Sequence, residues 1–142
     1  MTEVGAKERV TQSRVIKLFT DPKQLDYTYL GHWQDREGNS NIEEAHATKY
    51  LKGAGYTPAQ ISRALYLLRT AATVANTDDA SLYGPNKAVY ELLRYGAKVK
   101  VSASEATTDV AFIDWDNPEA NHFGIAEEVT LEGDNTRRPD LV

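Results

Sequence analysis

Acidic residues are the candidates for chemistry in this chain of 142 residues. Glu127 shares its parity with the apolar residues of a predicted strand, which are Phe123, Ile125, Val129 and Leu131. Strict alternation would point its carboxylate toward a core, which implies a buried partner, a metal ion, or a bulge that returns the side chain to solvent. We favour the bulge or a surface-facing strand end. Asp140 differs, because it follows Arg137, Arg138 and Pro139 and opens a strand after a turn.

Glu43 and Glu44 lie in the first turn of a helix predicted over 42–54. The positive end of the helix dipole stabilises carboxylates there by a few tenths of a kcal/mol, which accounts for both residues without a metal. Asn39, Ser40 and Asn41 are the candidate N-caps of this helix, and Gly55 is available at its C-terminal end.

Other common catalytic patterns are missing from the sequence. His32, His46 and His122 do not have the spacing of a metal site, and no P-loop, G-x-G-x-x-G or G-x-S-x-G motif occurs. The chain contains no cysteine, which excludes disulfides, thiolate metal sites and a cysteine nucleophile. Nucleotide binding and serine hydrolysis therefore have no support in the sequence.

Tyrosines interleave with arginines along the helical part of the chain. Tyr66 with Arg69, and Tyr90 with Arg94, stand three or four positions apart and could stack against and pair with nucleic acid. Such pairs are more often rim residues around a core, and we favour that interpretation.

Composition and charge limit the class of protein. The chain is 41% hydrophobic and 26% charged, as expected for one soluble domain covering 1–142. No run approaches the ~20 apolar residues that cross a bilayer, and the first residues do not resemble a signal peptide, so we predict a cytoplasmic protein with no membrane contact. Residues 1–71 carry ten Lys and Arg against eight Asp and Glu, whereas residues 72–142 carry six against thirteen. This acidic half argues against free-standing DNA binding through phosphates.

The apolar spacing predicts helices first and strands afterwards. Helices are expected at 8–19, 42–54, 58–72 and 85–95, with a short strand or turn and a polar loop in 23–41 and a loop at 76–79. Strands are expected at 98–102, 110–115 and 123–131, with turns at 116–118 and 133–135 and a fourth strand from Pro139. The chain is thus predicted to be helical over 1–96 and strand-rich over 97–142, an α+β fold ending in an antiparallel meander.

Several long segments resemble the N-terminal region of the restriction (R) subunit of type I restriction-modification enzymes. They are 8–19, 41–44 with 48–58, 121–133 and 137–142, so the resemblance covers the chain from about residue 8 onward. It implies part of a PD-(D/E)xK nuclease fold, with N-terminal helices packed on an antiparallel or mixed sheet. The parent protein would be an ATP-driven DNA translocase and Mg²⁺-dependent endonuclease that cleaves foreign DNA.

The resemblance also implies site residues. Pro139-Asp140 matches the first half of the nuclease motif, which makes Asp140 a catalytic residue and metal ligand for Mg²⁺. In the family pattern an acidic helix residue lies about eleven positions before a Gly-Tyr pair, and counting back from Gly55 gives Glu44, with Glu43 as the neighbouring alternative. Hard oxygen ligands suit Mg²⁺, which polarises the phosphodiester and lowers the pKa of bound water.

The sequence departs from this pattern after Asp140, because Val142 is reached before any Glu-x-Lys pair. We therefore expect a fragment with weak or no Mg²⁺ binding, no nuclease activity and at most weak DNA binding. ATP would be used only by motor domains beyond this region. In the full complex the partners would be DNA and the specificity and methylation subunits. The alternative is a non-catalytic module that binds a protein partner through its acidic half, or a folding unit without activity of its own.

Overall fold

The computed structural model describes residues 3–73, 83–132 and 135–142. Its helices are α1 (Glu3–Thr20), α2 (Glu44–Gly53), α3 (Pro58–Ala72) and α4 (Tyr83–Tyr95), and its strands are β1 (Thr28–His32), β2 (Ala97–Val99), β3 (Thr108–Val110) and β4 (Gly124–Glu127). A short 3₁₀ turn, Pro118–Ala120, follows the predicted turn at 116–118. The predicted loop at 76–79 and most of the predicted turn at 133–135 lie outside the described residues. The predicted α+β class is confirmed.

The chain forms two compact units. Unit 1 combines residues 1–41 with 122–142, and unit 2 is residues 42–121. The change from helix-rich to strand-rich sequence at residue 96 thus falls inside unit 2 and does not separate the units. The single domain expected over 1–142 stays a prediction.

The sheet of unit 1 is mixed. β1 and β4 pair in parallel, with a register irregularity between Tyr29 and Gly31. On the other side of β4, the Ala126 N–H donates to the Val142 carbonyl at 2.8 Å and the Glu128 N–H donates to the Asp140 carbonyl at 2.9 Å. The predicted pairing segment after Pro139 is therefore present and runs antiparallel to β4.

The predicted antiparallel meander is wrong. β2 and β3 form an antiparallel pair of their own in unit 2, whereas β4 pairs with β1. Parallel strands need a long connection, and residues 33–123 supply it. The alternation of apolar and polar residues indicates which face of a strand is buried, but it does not identify the neighbouring strand. The prediction of a meander rests on the assumption that strands adjacent in sequence pair with one another.

Aromatic and small residues pack α1 against the sheet of unit 1. The ring of Tyr27 lies edge-on to Phe19 at 4.9 Å and beside Phe123 at 5.2 Å. Leu30 lies over Gly124, where an added Cβ would come within 2.8 Å of the leucine Cδ1. A larger residue at position 124 would therefore require the flexible Leu30 side chain to shift.

The core of unit 2 lies between α2, α3 and the β2–β3 pair. Its buried members are Leu51, Ile61, Ala64, Leu65, Ala97, Val99 and Val110. The predicted start of α3 is confirmed, because the Thr57 hydroxyl accepts from the Gln60 N–H while the Gln60 side chain accepts from the Thr57 N–H. Such a capping box satisfies two N–H groups that the helix leaves unpaired.

The predicted cap of α2 is wrong. This helix begins at Glu44 with Glu43 as its N-cap residue, and no side-chain hydrogen bond caps it. The Asn39 amide instead donates to the carbonyls of Trp33 and Thr130 at 3.1 and 2.9 Å, which ties the polar loop to the segment after β4. An asparagine side chain can form hydrogen bonds with many nearby backbone N–H and C=O groups. The presence of an asparagine before a helix therefore does not show whether it caps that helix or contacts a loop.

Candidate carboxylate cleft

A cleft of about 340 Å³ in unit 1 contains Glu127 and Asp140, two of the four acidic residues that the sequence singles out. It lies between α1, the end of β1, the end of β4 and the C-terminal segment. Its charged lining residues are Glu8, Arg9, His32, Glu127, Glu128, Arg138 and Asp140. Four carboxylates therefore share this cleft with two arginines and a histidine.

Glu127 has protein partners in the cleft. The Tyr29 hydroxyl donates to its Oε2 at 3.0 Å, and the Nε2 of His32 lies 3.9 Å from its Oε1. Glu127 is the last residue of β4, and its 20% exposed side chain lines a surface cleft rather than the core, in line with the surface-facing strand end favoured from the sequence. The register irregularity lies in β1 between Tyr29 and Gly31, opposite Ile125 and Ala126, and the residue paired with Glu127 is His32.

The neighbourhood of Glu127 also changes the acidity of Tyr29. Burial first, and then the hydrogen bond and the negative charge of Glu127, raise the pKa of the Tyr29 hydroxyl above its ordinary value. The phenol therefore stays protonated over the physiological pH range and donates its hydrogen bond to the Glu127 carboxylate.

Glu128 lines the same cleft because alternation breaks at this residue. Its φ is 51°, in the left-handed region that few residues other than glycine adopt. Consecutive glutamates therefore both face the cleft, which a regular strand does not allow. The Glu128 Oε2 and the Arg138 Nε form an ion pair at 3.0 Å.

Asp140 is exposed and lies next to Glu128 on the neighbouring segment, through the backbone hydrogen bond from the Glu128 N–H. Its carboxylate makes no ion pair or hydrogen bond with another described residue. Glu8, from α1, is also exposed and lines the same cleft. Sequence reasoning missed Glu8, although the residue opens the first segment of the family resemblance.

Glu44 and Asp140 belong to different units. Glu44 is the first residue of α2, and its Oε1 accepts from the Arg69 Nη1 at 2.7 Å. It lines a separate cavity of about 480 Å³ in unit 2, next to Thr48 and Lys52. The roles of Glu44 and Glu43 as metal ligands therefore stay predictions.

The carboxylate oxygens of the cleft are the kind of ligand that a magnesium ion prefers. Within the residues that the structure describes, no three His, Asp or Glu side chains are grouped as a metal site. Mg²⁺, however, binds through one or two carboxylates and keeps several waters. Glu127 and Glu128 are held by protein partners, so Asp140 and Glu8 are the carboxylates that fit this role.

These features define the chain as a small α+β protein with a cleft rich in carboxylates. The family described as "Type I restriction enzyme R protein N terminus" matches residues 6–142, and the chain belongs to this family. The resemblance deduced from the sequence is confirmed. No curated protein and no solved structure gives a significant match. None of the helices described is both long and apolar enough to cross a membrane.

Proposed function

We propose that the cleft of unit 1 is the acidic part of a Mg²⁺-dependent nuclease site, in which Asp140 and Glu8 hold the metal ion. The observation that carries this proposal is the presence in one cleft of two exposed carboxylates, one from the Pro-Asp motif and one from α1. Glu8 takes the place that the family resemblance gave to Glu44, whose carboxylate is paired with Arg69.

When bound, Mg²⁺ supplies polarisation of a phosphodiester and a water of lowered pKa. The residues around Asp140 have supporting roles. The Tyr29 hydroxyl donates to Glu127, and Arg138 pairs with Glu128, so these two carboxylates already have protein partners in the cleft. Arg9 lines the cleft and offers a guanidinium to a DNA phosphate.

The chain would perform this chemistry as part of an R subunit. We propose that the parent complex is an ATP-dependent DNA translocase and endonuclease, with DNA and the specificity and methylation subunits as partners. Family membership supports this proposal. The cytoplasmic location predicted from the sequence is part of the same proposal.

Metal binding tests the site without requiring cleavage. Mn²⁺ replaces Mg²⁺ as a paramagnetic probe, and electron paramagnetic resonance measures the free ion during titration of the 142-residue chain. We expect Asp140→Asn and Glu8→Gln each to weaken Mn²⁺ binding by at least about tenfold, since losses of ten- to a hundredfold already follow from changes outside the first shell of ligands.

Two further variants give this experiment its controls. Glu91→Gln removes an exposed carboxylate of α4 and should leave Mn²⁺ binding unchanged. Glu44→Gln should also leave it unchanged, and a loss equal to that of Asp140→Asn would make Glu44 the helix ligand that the family resemblance implies. Unaltered binding by Asp140→Asn would refute the proposed site.

A further inference from the structure

A second surface of unit 2 concentrates positive charge. A groove of about 510 Å³ runs along the exposed side of α3 and past the end of β2. Its charged and aromatic lining residues are Arg63, Tyr66, Arg69 and Lys100. No acidic side chain lines the groove among the described residues, although the chain as a whole has a net charge of -5. The groove is therefore a local cationic surface on an acidic protein.

The cations of this groove differ in their partners. Arg69 is paired with Glu44 at 2.7 Å, so its charge is largely balanced. Arg63 and Lys100 form no ion pair within the part of the chain that the structure describes. Lys100 is exposed, so two cations are available to an anionic ligand from solvent.

Tyr66 lies among these cations with its ring accessible. It is 49% exposed, and the Cζ of Arg63 lies 5.3 Å from the centroid of its ring. The i, i+3 spacing of Arg63, Tyr66 and Arg69 brings the three side chains to one side of α3. The tyrosines and arginines of the sequence thus include one set that is arranged on a single surface.

We propose that this groove binds single-stranded nucleic acid, with phosphates on Arg63 and Lys100 and a base stacked on Tyr66. In a single strand, bases with accessible faces alternate with phosphates along the backbone. The exposed Tyr66 ring can stack on a base, and the cations beside it can pair with the neighbouring phosphates. In a duplex those faces are covered by neighbouring base pairs. The inference goes beyond the proposed nuclease function, because the groove belongs to unit 2 and the carboxylate cleft belongs to unit 1.

Fluorescence anisotropy with a labelled oligothymidylate of about twelve nucleotides tests the proposal. The full chain is titrated in EDTA at low salt, so the metal site plays no part in the result. We expect weak binding, with a Kd of about 10⁻⁶ to 10⁻⁴ M at physiological salt, as is typical of contacts to the backbone, and tighter binding at low salt. Arg63→Ala with Lys100→Ala should lower the slope of log K against log salt by about 1.4, because about 0.7 is lost for each phosphate contact to a single strand.

Matched variants separate the groove from general charge and aromatic effects. Tyr66→Ala should weaken binding about fivefold or more, the loss expected for one stacked base. The control for the tyrosine is Tyr90→Ala, which removes a comparably exposed tyrosine of α4. The control for charge is Lys49→Ala with Lys87→Ala, which removes two exposed cations of other helices. Both control variants should bind the oligonucleotide as the parent chain does. Circular dichroism verifies that each variant is folded.

The outcomes decide the proposal independently of cleavage. An oligouridylate that binds better than the oligothymidylate would assign the groove to RNA rather than DNA within the same chemistry. No binding by the folded parent chain, or equal losses in the groove and control variants, would overturn it. Tighter binding to duplex DNA that Tyr66→Ala leaves unaltered would also overturn it, since phosphates alone would then account for binding. A failure of Mn²⁺ binding at Asp140 leaves these measurements unaffected.

Discussion

The carboxylate of Glu44 and the guanidinium of Arg69 meet at 2.7 Å, and this ion pair joins the first residue of α2 to the last turn of α3. The two side chains are 42% and 49% exposed, respectively, so water screens the pair. The pair gives Glu44 a structural role that needs no metal. It also lies at the edge of the cavity between the two helices.

The first prediction concerns the energy of this pair. In a double-mutant cycle of Glu44→Gln and Arg69→Gln, we expect a coupling free energy of about 0.2–1 kcal/mol, the range measured for exposed ion pairs. Chemical denaturation of the four proteins gives the value, and it should shrink in about 1 M salt. A coupling of several kcal/mol that salt does not affect would contradict this expectation.

Tyr29 gives a prediction about pH. Its pKa is raised in the folded protein, chiefly by burial and also by the hydrogen bond to Glu127, so folding favours the neutral phenol. The resulting stabilisation is complete below the ordinary pKa of 10.0 and is lost as the pH rises through the higher pKa of the folded state. The free energy of unfolding should therefore fall above about pH 10, and part of this fall should disappear in Tyr29→Phe.

Ultraviolet difference titration measures the same ionisation directly. Subtracting the absorbance of Tyr29→Phe from that of the parent chain should isolate a phenol that ionises above pH 10.0. Tyr95→Phe, at a tyrosine that is 73% exposed, is the control for loss of a phenol without this contact. Ionisation of Tyr29 at or below its ordinary pKa would show that the contact with Glu127 does not persist in solution.

Gly96 gives a prediction about the backbone. It ends α4 with φ of +83°, and an added Cβ would lie 2.8 Å from the Val110 carbonyl oxygen. Gly96→Ala should destabilise the chain by about 1–3 kcal/mol in thermal or chemical unfolding, because both the left-handed conformation and the contact oppose a side chain. Gly53→Ala, at a helical position with nothing within 4 Å, should instead stabilise it by about 0.5–1 kcal/mol. Equal effects of the two changes would contradict a special requirement for glycine at position 96.

The local signals in the sequence are enough to predict the helices and the position of β2, whereas the strand predicted at 110–115 is wrong, because β3 covers Thr108–Val110. Thr57, Pro58 and Gln60 mark the start of α3 because the capping box depends on neighbouring residues alone. The pairing of β1 with β4 could not be predicted in this way, because partners so far apart in the chain are selected by tertiary packing. For the same reason the sequence favours a helix cap for Asn39 rather than its contacts with Trp33 and Thr130.

The residues of the candidate site likewise divide into those that a local sequence pattern predicts and those that only the fold brings together. Asp140 was found from a motif, since Pro-Asp is a local pattern that the family resemblance makes specific. Glu8 was missed, because a glutamate on an exposed helix has no distinguishing neighbours, and only the fold brings α1 beside the C-terminal segment. Glu128 was missed because its positive φ overrides the alternation that periodicity assumes.

The last prediction concerns cleavage by the 142-residue chain itself. In the nuclease motif that the family resemblance implies, a lysine orients or activates the attacking water. Two carboxylates hold Mg²⁺ with several of its waters retained, and no described lysine lines the cleft to activate one of them. Supercoiled plasmid incubated with the chain and Mg²⁺ should therefore stay intact, as it does with the Asp140→Ala variant. Nicking by the parent chain that Asp140→Ala abolishes would show that these residues already complete a working site, whereas nicking that survives Asp140→Ala would point to a contaminating nuclease.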